Sequence, residues 1–150
     1  MQKLHFSIII NAPKEKVWDK MFSDLSYREW TKVFMPGSYF EGSWDKGAKI
    51  RFLAKDGNGK LNGMISTIEE NRPYEFISIK HLGVVHDGVE DTTSDEVKKW
   101  SGAHENYTFE ETDGKTEVLV EMDSDDEFVK MFEEMWPKAL AKLKEISERN

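Results

Sequence analysis

The chain contains no cysteine, no excess of basic residues and no long apolar run, and each absence excludes a class of protein. Without cysteine there are no disulfides, thiolate metal sites or cysteine nucleophiles. Lysine and arginine number 21 against 29 acidic residues, so a net charge of −8 repels nucleic-acid backbones, and no basic patch offsets it. Nowhere do about 18 apolar residues follow one another to cross a bilayer, and the amino-terminal apolar run is too short for a signal peptide. The sequence predicts a cytoplasmic protein with neither a nucleic-acid partner nor a membrane span.

Histidine is also scarce, and its spacing does not suit a metal site. The four histidines are His5, His81, His86 and His104, and they form no zinc motif and no helical i, i+4 pair. The acidic residues near His86 are typical of a solvated loop. The glycines of residues 57–63 (GNGKLNG) have the wrong spacing for a dinucleotide-binding loop and precede a strand, so they predict a hairpin. We expect neither a metal nor a cofactor.

The pattern of apolar residues predicts strands and helices that suit one domain covering residues 1–150. The chain is 38% hydrophobic and 33% charged, as in globular proteins. A period of two residues predicts strands, and a period of 3.6 predicts two short helices at residues 14–22 and 25–31 and one long helix at about 125–148. The predicted strands cover residues 4–10, 38–43, 48–55, 60–70, 74–85, 100–111 and 116–122.

The long helix carries an apolar stripe that starts at Phe128, and we expect this face to pack on the sheet. Pro137 lies inside the pattern and predicts a kink or a division into two helices. Residues 86–99, between two strands, are polar and acidic and predict a surface excursion. A capping-box pattern at residues 93–96 predicts a short helix within it.

The order of these elements, together with three motifs, resembles the helix-grip fold of the START and birch-pollen-allergen superfamily. The motifs are residues 12–18 (APKEKVW) in the opening helix, 42–52 (GSWDKGAKIRF) in a strand pair and 136–143 (WPKALAKL) in the final helix. Together they resemble the single-domain branch related to the C-terminal domain of the activator of the heat-shock protein 90 ATPase. The resemblance implies an α+β fold with a curved antiparallel sheet of about six to seven strands wrapped around the long C-terminal helix. It implies no single function, because relatives include lipid carriers, receptors, cyclases and chaperone activators.

Aromatic residues are abundant, and many lie on faces that should turn inward. The chain has five Trp, four Tyr and nine Phe. Such rings either line a cavity between sheet and helix or fill it. The leading hypothesis is a cavity that binds a small apolar or amphipathic molecule without catalysis. Its predicted lining residues are Trp30, Phe34, Phe52, Met64, Tyr107, Phe109, Met122, Phe132 and Trp136.

Two alternatives stay open. A chaperone partner, with a role as an activator of its ATPase, is implied by the resemblance and would need a filled core and an exposed contact surface. A cyclase or hydrolase acting on a polycyclic substrate would need an acid or base inside the cavity. Glu105 has the strand parity of Tyr107, whereas the orientation of His81 is open because Ile77 competes with Phe76 for the inward face. The spacing pairs no base with a nucleophile, so no catalytic residue is assigned.

Overall fold

The computed structural model describes residues 1–149, which form one antiparallel sheet and a set of helices. The α+β class and the two short helices after the first strand are confirmed. The strands are β1 (Gln2–Ile10), β2 (Tyr39–Gly42), β3 (Lys49–Lys55), β4 (Leu61–Arg72), β5 (Phe76–His86), β6 (Val89–Asp91), β7 (His104–Thr112) and β8 (Lys115–Ser124). The helices are α1 (Lys14–Phe22), α2 (Asp24–Thr31), α3 (Asp95–Lys98) and α4 (Val129–Ser147), with a 3₁₀ turn at Asp126–Phe128.

The sheet is open and has the strand order β1-β8-β7-β5-β4-β3-β2, with β6 paired to β5. Its neighbouring strands are antiparallel. Two register shifts interrupt the β4–β5 pairing, one between Ile65 and Ser66 and one between Ile68 and Glu70. Such bulges bend a strand and increase its twist. The helix α4 packs against β1 of the sheet and also contacts α1 and α2, which themselves contact strands at other places.

The inward face of the sheet follows the alternation of the sequence. On β8, Val118 and Val120 are fully buried in the main core, whereas Glu117, which directly precedes Val118 and points to the opposite face, is exposed. On β5, Ile77 and Ile79 are buried in the same core. This answers the question that the sequence left open, because the same parity turns His81 inward.

The long helix packs along its C-terminal half, where Leu140, Leu143 and Ile146 are buried. Pro137 does not divide α4. The proline removes the hydrogen bond to the carbonyl of Glu133, but both residues are exposed, so water can satisfy that carbonyl. The predicted start of the helix at residue 125 was too early, since the 3₁₀ turn precedes α4. No helix within residues 1–149 combines the length and the apolar character that crossing a membrane requires.

Residues 86–99 do not form the surface excursion that the sequence predicts, because part of this segment pairs with the sheet. Val89–Asp91 forms β6, which pairs with the end of β5. The predicted short helix is present as α3, and the Ser94 hydroxyl accepts a hydrogen bond from the backbone N–H of Val97 at 3.3 Å. Val97 is 2% exposed, so this segment contributes to the interior. The sequence did not reveal β6, because a three-residue strand is too short to show alternation.

Close approach of two strands at Gly63 supplies a test of the fold. A Cβ atom added to Gly63 would lie 1.9 Å from the carbonyl oxygen of Phe52 on β3. We expect Gly63→Ala to lower the free energy of unfolding by about 2 kcal/mol or more, because backbone atoms would have to separate. Gly57→Ala is the matched control, since nothing lies within 4 Å of its added Cβ atom. Urea denaturation measures both variants, and equal stabilities would contradict this β3–β4 geometry.

Candidate functional site

A cavity of about 630 Å³ lies between the inner face of the sheet, α2 and the first turns of α4. This volume is within the range of about 300–1,000 Å³ that small-molecule sites occupy in proteins. Its wall includes residues from α1 and α2, from β3, β4, β5, β7 and β8, and from the segment that joins β8 to α4. The sheet therefore does not close fully on the helix.

Eight of the nine residues that the sequence predicts for the cavity wall lie there, and Phe109 does not. Phe109 is buried further along β7, with its ring centroid 5.1 Å from that of Trp18 and 6.0 Å from that of Phe22. It has the strand parity of Tyr107, but α1 covers this end of the strand. Contact of the other eight residues with a ligand stays a prediction.

Sequence analysis missed several aromatic residues of the wall, among them Tyr27, Trp44 and Trp100. Tyr27 lies three residues before Trp30 on α2, and this helical spacing was a usable signal. Trp44 follows β2 in a segment without regular structure, where periodicity gives no direction for the side chain. Trp44 packs against Phe22, with ring centroids 4.6 Å apart.

Trp136 holds α4 over the cavity. Its ring centroid lies 5.0 Å from that of Phe34 and 6.0 Å from those of Trp30 and Tyr107. Its indole Nε1–H donates to the sulfur of Met122 at 3.1 Å. Trp136 therefore joins the final helix to α2, β7 and β8 at the place where the cavity begins.

Four polar side chains form a hydrogen-bonded chain beside the cavity. Ser66 Oγ lies 2.7 Å from His81 Nδ1, and His81 Nε2 lies 3.1 Å from Glu105 Oε1. The Tyr107 hydroxyl donates to the other carboxylate oxygen of Glu105. His81, Glu105 and Tyr107 line the cavity, while Ser66 is fully buried behind His81. The bulge next to Ser66 sets the register that places it opposite His81.

The hydrogen-bond partners of these four side chains indicate which of their atoms carry a proton. Among residues 1–149, His81 Nδ1 is the one hydrogen-bond partner of the Ser66 hydroxyl. A buried hydroxyl without an acceptor is costly, so Ser66 donates to Nδ1. His81 is then a neutral imidazole that carries its proton on Nε2 and donates it to Glu105. Both oxygens of Glu105 accept hydrogen bonds, which is the arrangement of an ionised carboxylate.

Tyr27 adds a further polar group to the wall. The residue is 7% exposed, and its hydroxyl makes no hydrogen bond within the described part of the chain. Burial, and to a lesser degree the negative charge of Glu105, raise the pKa of Tyr27 well above its usual value. The phenol therefore stays protonated and offers both a donor and an acceptor to whatever occupies the cavity.

These groups suit the binding of a polar group better than nucleophilic catalysis. Ser66 contacts a histidine, but it is fully buried, so no substrate reaches its hydroxyl. In the part of the chain that the structure describes, no three His, Asp or Glu side chains are grouped to hold a metal ion. The chain of hydrogen bonds fixes the orientation of His81 and Glu105, so both present defined atoms to the cavity.

The proton assignment is open to a direct test. We expect His81 in the wild-type protein to appear as the neutral Nε2–H tautomer at neutral pH in ¹⁵N–¹H correlation spectra. Ser66→Ala removes the donor to Nδ1 and should lower the free energy of unfolding by about 1 kcal/mol or more. Ser78→Ala is the matched control, because Ser78 is 6% exposed and its hydroxyl makes no hydrogen bond within residues 1–149. An imidazolium signal for His81 would contradict the assignment.

Comparison with solved structures shows the same fold in bacterial proteins of low sequence identity. The Aha1 dimer from Colwellia psychrerythraea has a TM-score of 0.67 and 17% identity, over 99% of this chain and 97% of that one. A protein from Cytophaga hutchinsonii has a TM-score of 0.73 and 19% identity, over 99% and 94%. The AHSA1-like protein from Aeromonas hydrophila has a TM-score of 0.70 and 14% identity, over 97% and 92%.

A family model gives the more specific result. No curated protein matches the chain. The model described as Activator of Hsp90 ATPase homolog 1-like protein matches residues 11–148, which is nearly the whole sequence. The expected relationship to this branch of the helix-grip fold is confirmed: the chain belongs to the family of Activator of Hsp90 ATPase homolog 1-like proteins.

Proposed function

We propose that this protein binds a small apolar or amphipathic molecule in the cavity under α4 and performs no chemistry on it. The observation that carries the proposal is a cavity of about 630 Å³ with a mainly apolar wall that is rich in aromatic rings. Known small-molecule sites have this composition, with a few polar groups that fix the orientation of the ligand. Here those polar groups are Glu105, His81 and the hydroxyls of Tyr27 and Tyr107.

The entrance lies at the start of α4. Phe128 and Met131 border the cavity and are nevertheless 45% and 39% exposed. Large apolar side chains that are half in water are found where a molecule enters or where a partner covers them. Since these two residues border the enclosed volume, an apolar ligand can pass from them to Phe132 and Trp136 without leaving an apolar surface.

Membership of the family supports a second proposal, activation of the Hsp90 ATPase through protein–protein contact. That role needs an exposed contact surface, and a protein with a filled core can provide it. A cavity of about 630 Å³ costs packing contacts between sheet and helix, and this role does not require it. We therefore place ligand binding first, and chaperone activation becomes the next assay if no ligand binds.

A cavity-filling variant tests ligand binding. Val84 lines the cavity on β5, so Val84→Phe should lower the affinity for the neutral apolar dye Nile red at least about tenfold by occupying its space. Val89→Phe is the matched control, because Val89 is 67% exposed on β6 and adds the same volume to the outer surface. Fluorescence titration measures affinity, and circular dichroism checks that both variants fold.

Native mass spectrometry of freshly purified wild-type protein accompanies the titration. A small molecule bound at about one per chain supports the proposal and gives its chemical class after extraction. A wild-type protein that carries no small molecule and does not bind Nile red would refute it. Stimulation of the Hsp90 ATPase would then be measured with the same preparation.

A further inference from the structure

The charged side chains around the cavity are almost all of one sign. Within the described residues 1–149, no lysine or arginine borders the cavity, and His81 is its one basic side chain. Met1 borders the rim and is 61% exposed, so water screens a charge at its amino group. Five carboxylates border the cavity. They are Glu96, Glu105, Asp123, Asp125 and Glu127.

Glu105 differs from the other four in depth and in its surroundings. The Glu96 side chain is 85% exposed. Asp123 accepts a hydrogen bond from the backbone N–H of His104 at 2.9 Å, and Asp125 caps the 3₁₀ turn before α4. The Glu105 side chain is 19% exposed and lies between residues of the cavity wall. Glu105 is therefore the carboxylate that a bound molecule would meet inside the cavity.

No positive charge neutralises Glu105 within the described residues. Its one partner of basic type is His81, at 3.1 Å. The hydroxyl of Ser66 donates to His81 and keeps the imidazole neutral, as the hydrogen bonds require. Glu105 thus keeps a full negative charge at the wall of a mainly apolar cavity, where an opposite charge on a ligand interacts more strongly than in water.

Aromatic rings surround this carboxylate. Tyr107 donates to it, and the ring of Phe52 meets the imidazole of His81 edge-on at 6.4 Å. The ring of Tyr27 lies 6.2 Å from that of Phe52. The faces of aromatic rings attract cations, and the Tyr27 hydroxyl, which makes no hydrogen bond within residues 1–149, is a second acceptor on the wall of the same cavity.

From this juxtaposition we propose that the ligand is a cationic amphiphile, a protonated amine on an apolar body. The ammonium group donates hydrogen bonds to Glu105 and to the Tyr27 hydroxyl, and the apolar body lies against Phe132 and Trp136. At the rim, Glu96 and Asp123 pair with Lys99 and Lys3. Asp125 and Glu127 form no ion pair within residues 1–149, so they favour the approach of a cation and disfavour fatty acids and other anions. This inference rests on the proposed function, because it assigns the chemistry of the molecule that the cavity binds.

Three amphiphiles of equal chain length test the charge preference in the wild-type protein. Dodecylamine, 1-dodecanol and dodecanoate are compared by displacement of Nile red at neutral pH, below their aggregation concentrations. We expect dodecylamine to bind at least about tenfold more tightly than dodecanol, because a charge-assisted hydrogen bond replaces a neutral one. Dodecanoate should bind most weakly. Equal or tighter binding of the alcohol or the carboxylate would overturn the proposal.

Substitution of the carboxylate then assigns the preference to one residue. Glu105→Gln keeps the shape of the side chain, and it should abolish the preference for the amine without weakening the binding of dodecanol. Glu110→Gln is the matched control, since Glu110 is exposed on the same strand and its replacement changes the net charge equally. A preference that survives Glu105→Gln would refute the assignment. If Glu105→Gln does not fold, the wild-type comparison alone decides the sign of the ligand charge.

Failure of this inference differs from failure of the proposed function. If none of the three amphiphiles displaces Nile red and the dye itself does not bind, the cavity binds no ligand, and both proposals fall. If dodecanol binds well and dodecylamine does not exceed it, ligand binding stands and the cationic class is wrong.

Discussion

The packing of α4 against the sheet at Trp136 determines where the cavity lies. On the C-terminal side of this residue, Leu143 is fully buried and Ile146 is 3% exposed, so helix and sheet are in close contact. On the N-terminal side, Phe132 is only half-buried and Phe128 is 45% exposed. The helix thus adheres along one half and stands away from the sheet along the other. The cavity lies under the half that stands away, and the exposed ring of Phe128 borders it.

The polar groups of this cavity are held by strands rather than by loops, and that gives them fixed positions. Ser66 lies on β4, His81 on β5, and Glu105 and Tyr107 on β7, which are three adjacent strands. A polar network in an apolar environment is stable only if its members are paired, because an unpaired donor or acceptor loses its interactions with water. The Ser66 hydroxyl pairs with His81, and His81 and Tyr107 pair with the two oxygens of Glu105.

The sequence was sufficient to predict most helices and strands, because these depend on patterns that are local, whereas the arrangement of the sheet around the long helix was implied by the family resemblance. Alternation on β8 and the 3.6 period of α4 appear in consecutive residues, and the turn at Asp113 has the positive φ of 54° that such turns use. The four hydrogen-bonded polar side chains, by contrast, are brought together by the pairing of different strands. Ser66 faces His81 because of a bulge at Leu82 in β5, and no single-strand pattern predicts a bulge. Sequence reasoning therefore found most of the aromatic wall but not the serine that sets the protonation of His81.

The charge of the cavity is not a simple consequence of an acidic protein. The chain has 21 lysine and arginine residues, and within residues 1–149 none of them borders the cavity. Some pair with carboxylates elsewhere, as Arg51 does with Glu41 at 2.7 Å and Arg149 with Glu29 at 2.8 Å, and Lys99 and Lys3 pair with the rim carboxylates Glu96 and Asp123. The distribution matters when a ligand enters, because its apolar body displaces water from Glu105. A neutral occupant would leave that carboxylate with weaker solvation and no compensating charge, which costs free energy. A cationic group next to Glu105 replaces the lost solvation of its carboxylate. Glu105 therefore disfavours a purely apolar ligand and favours a ligand that carries a positive charge.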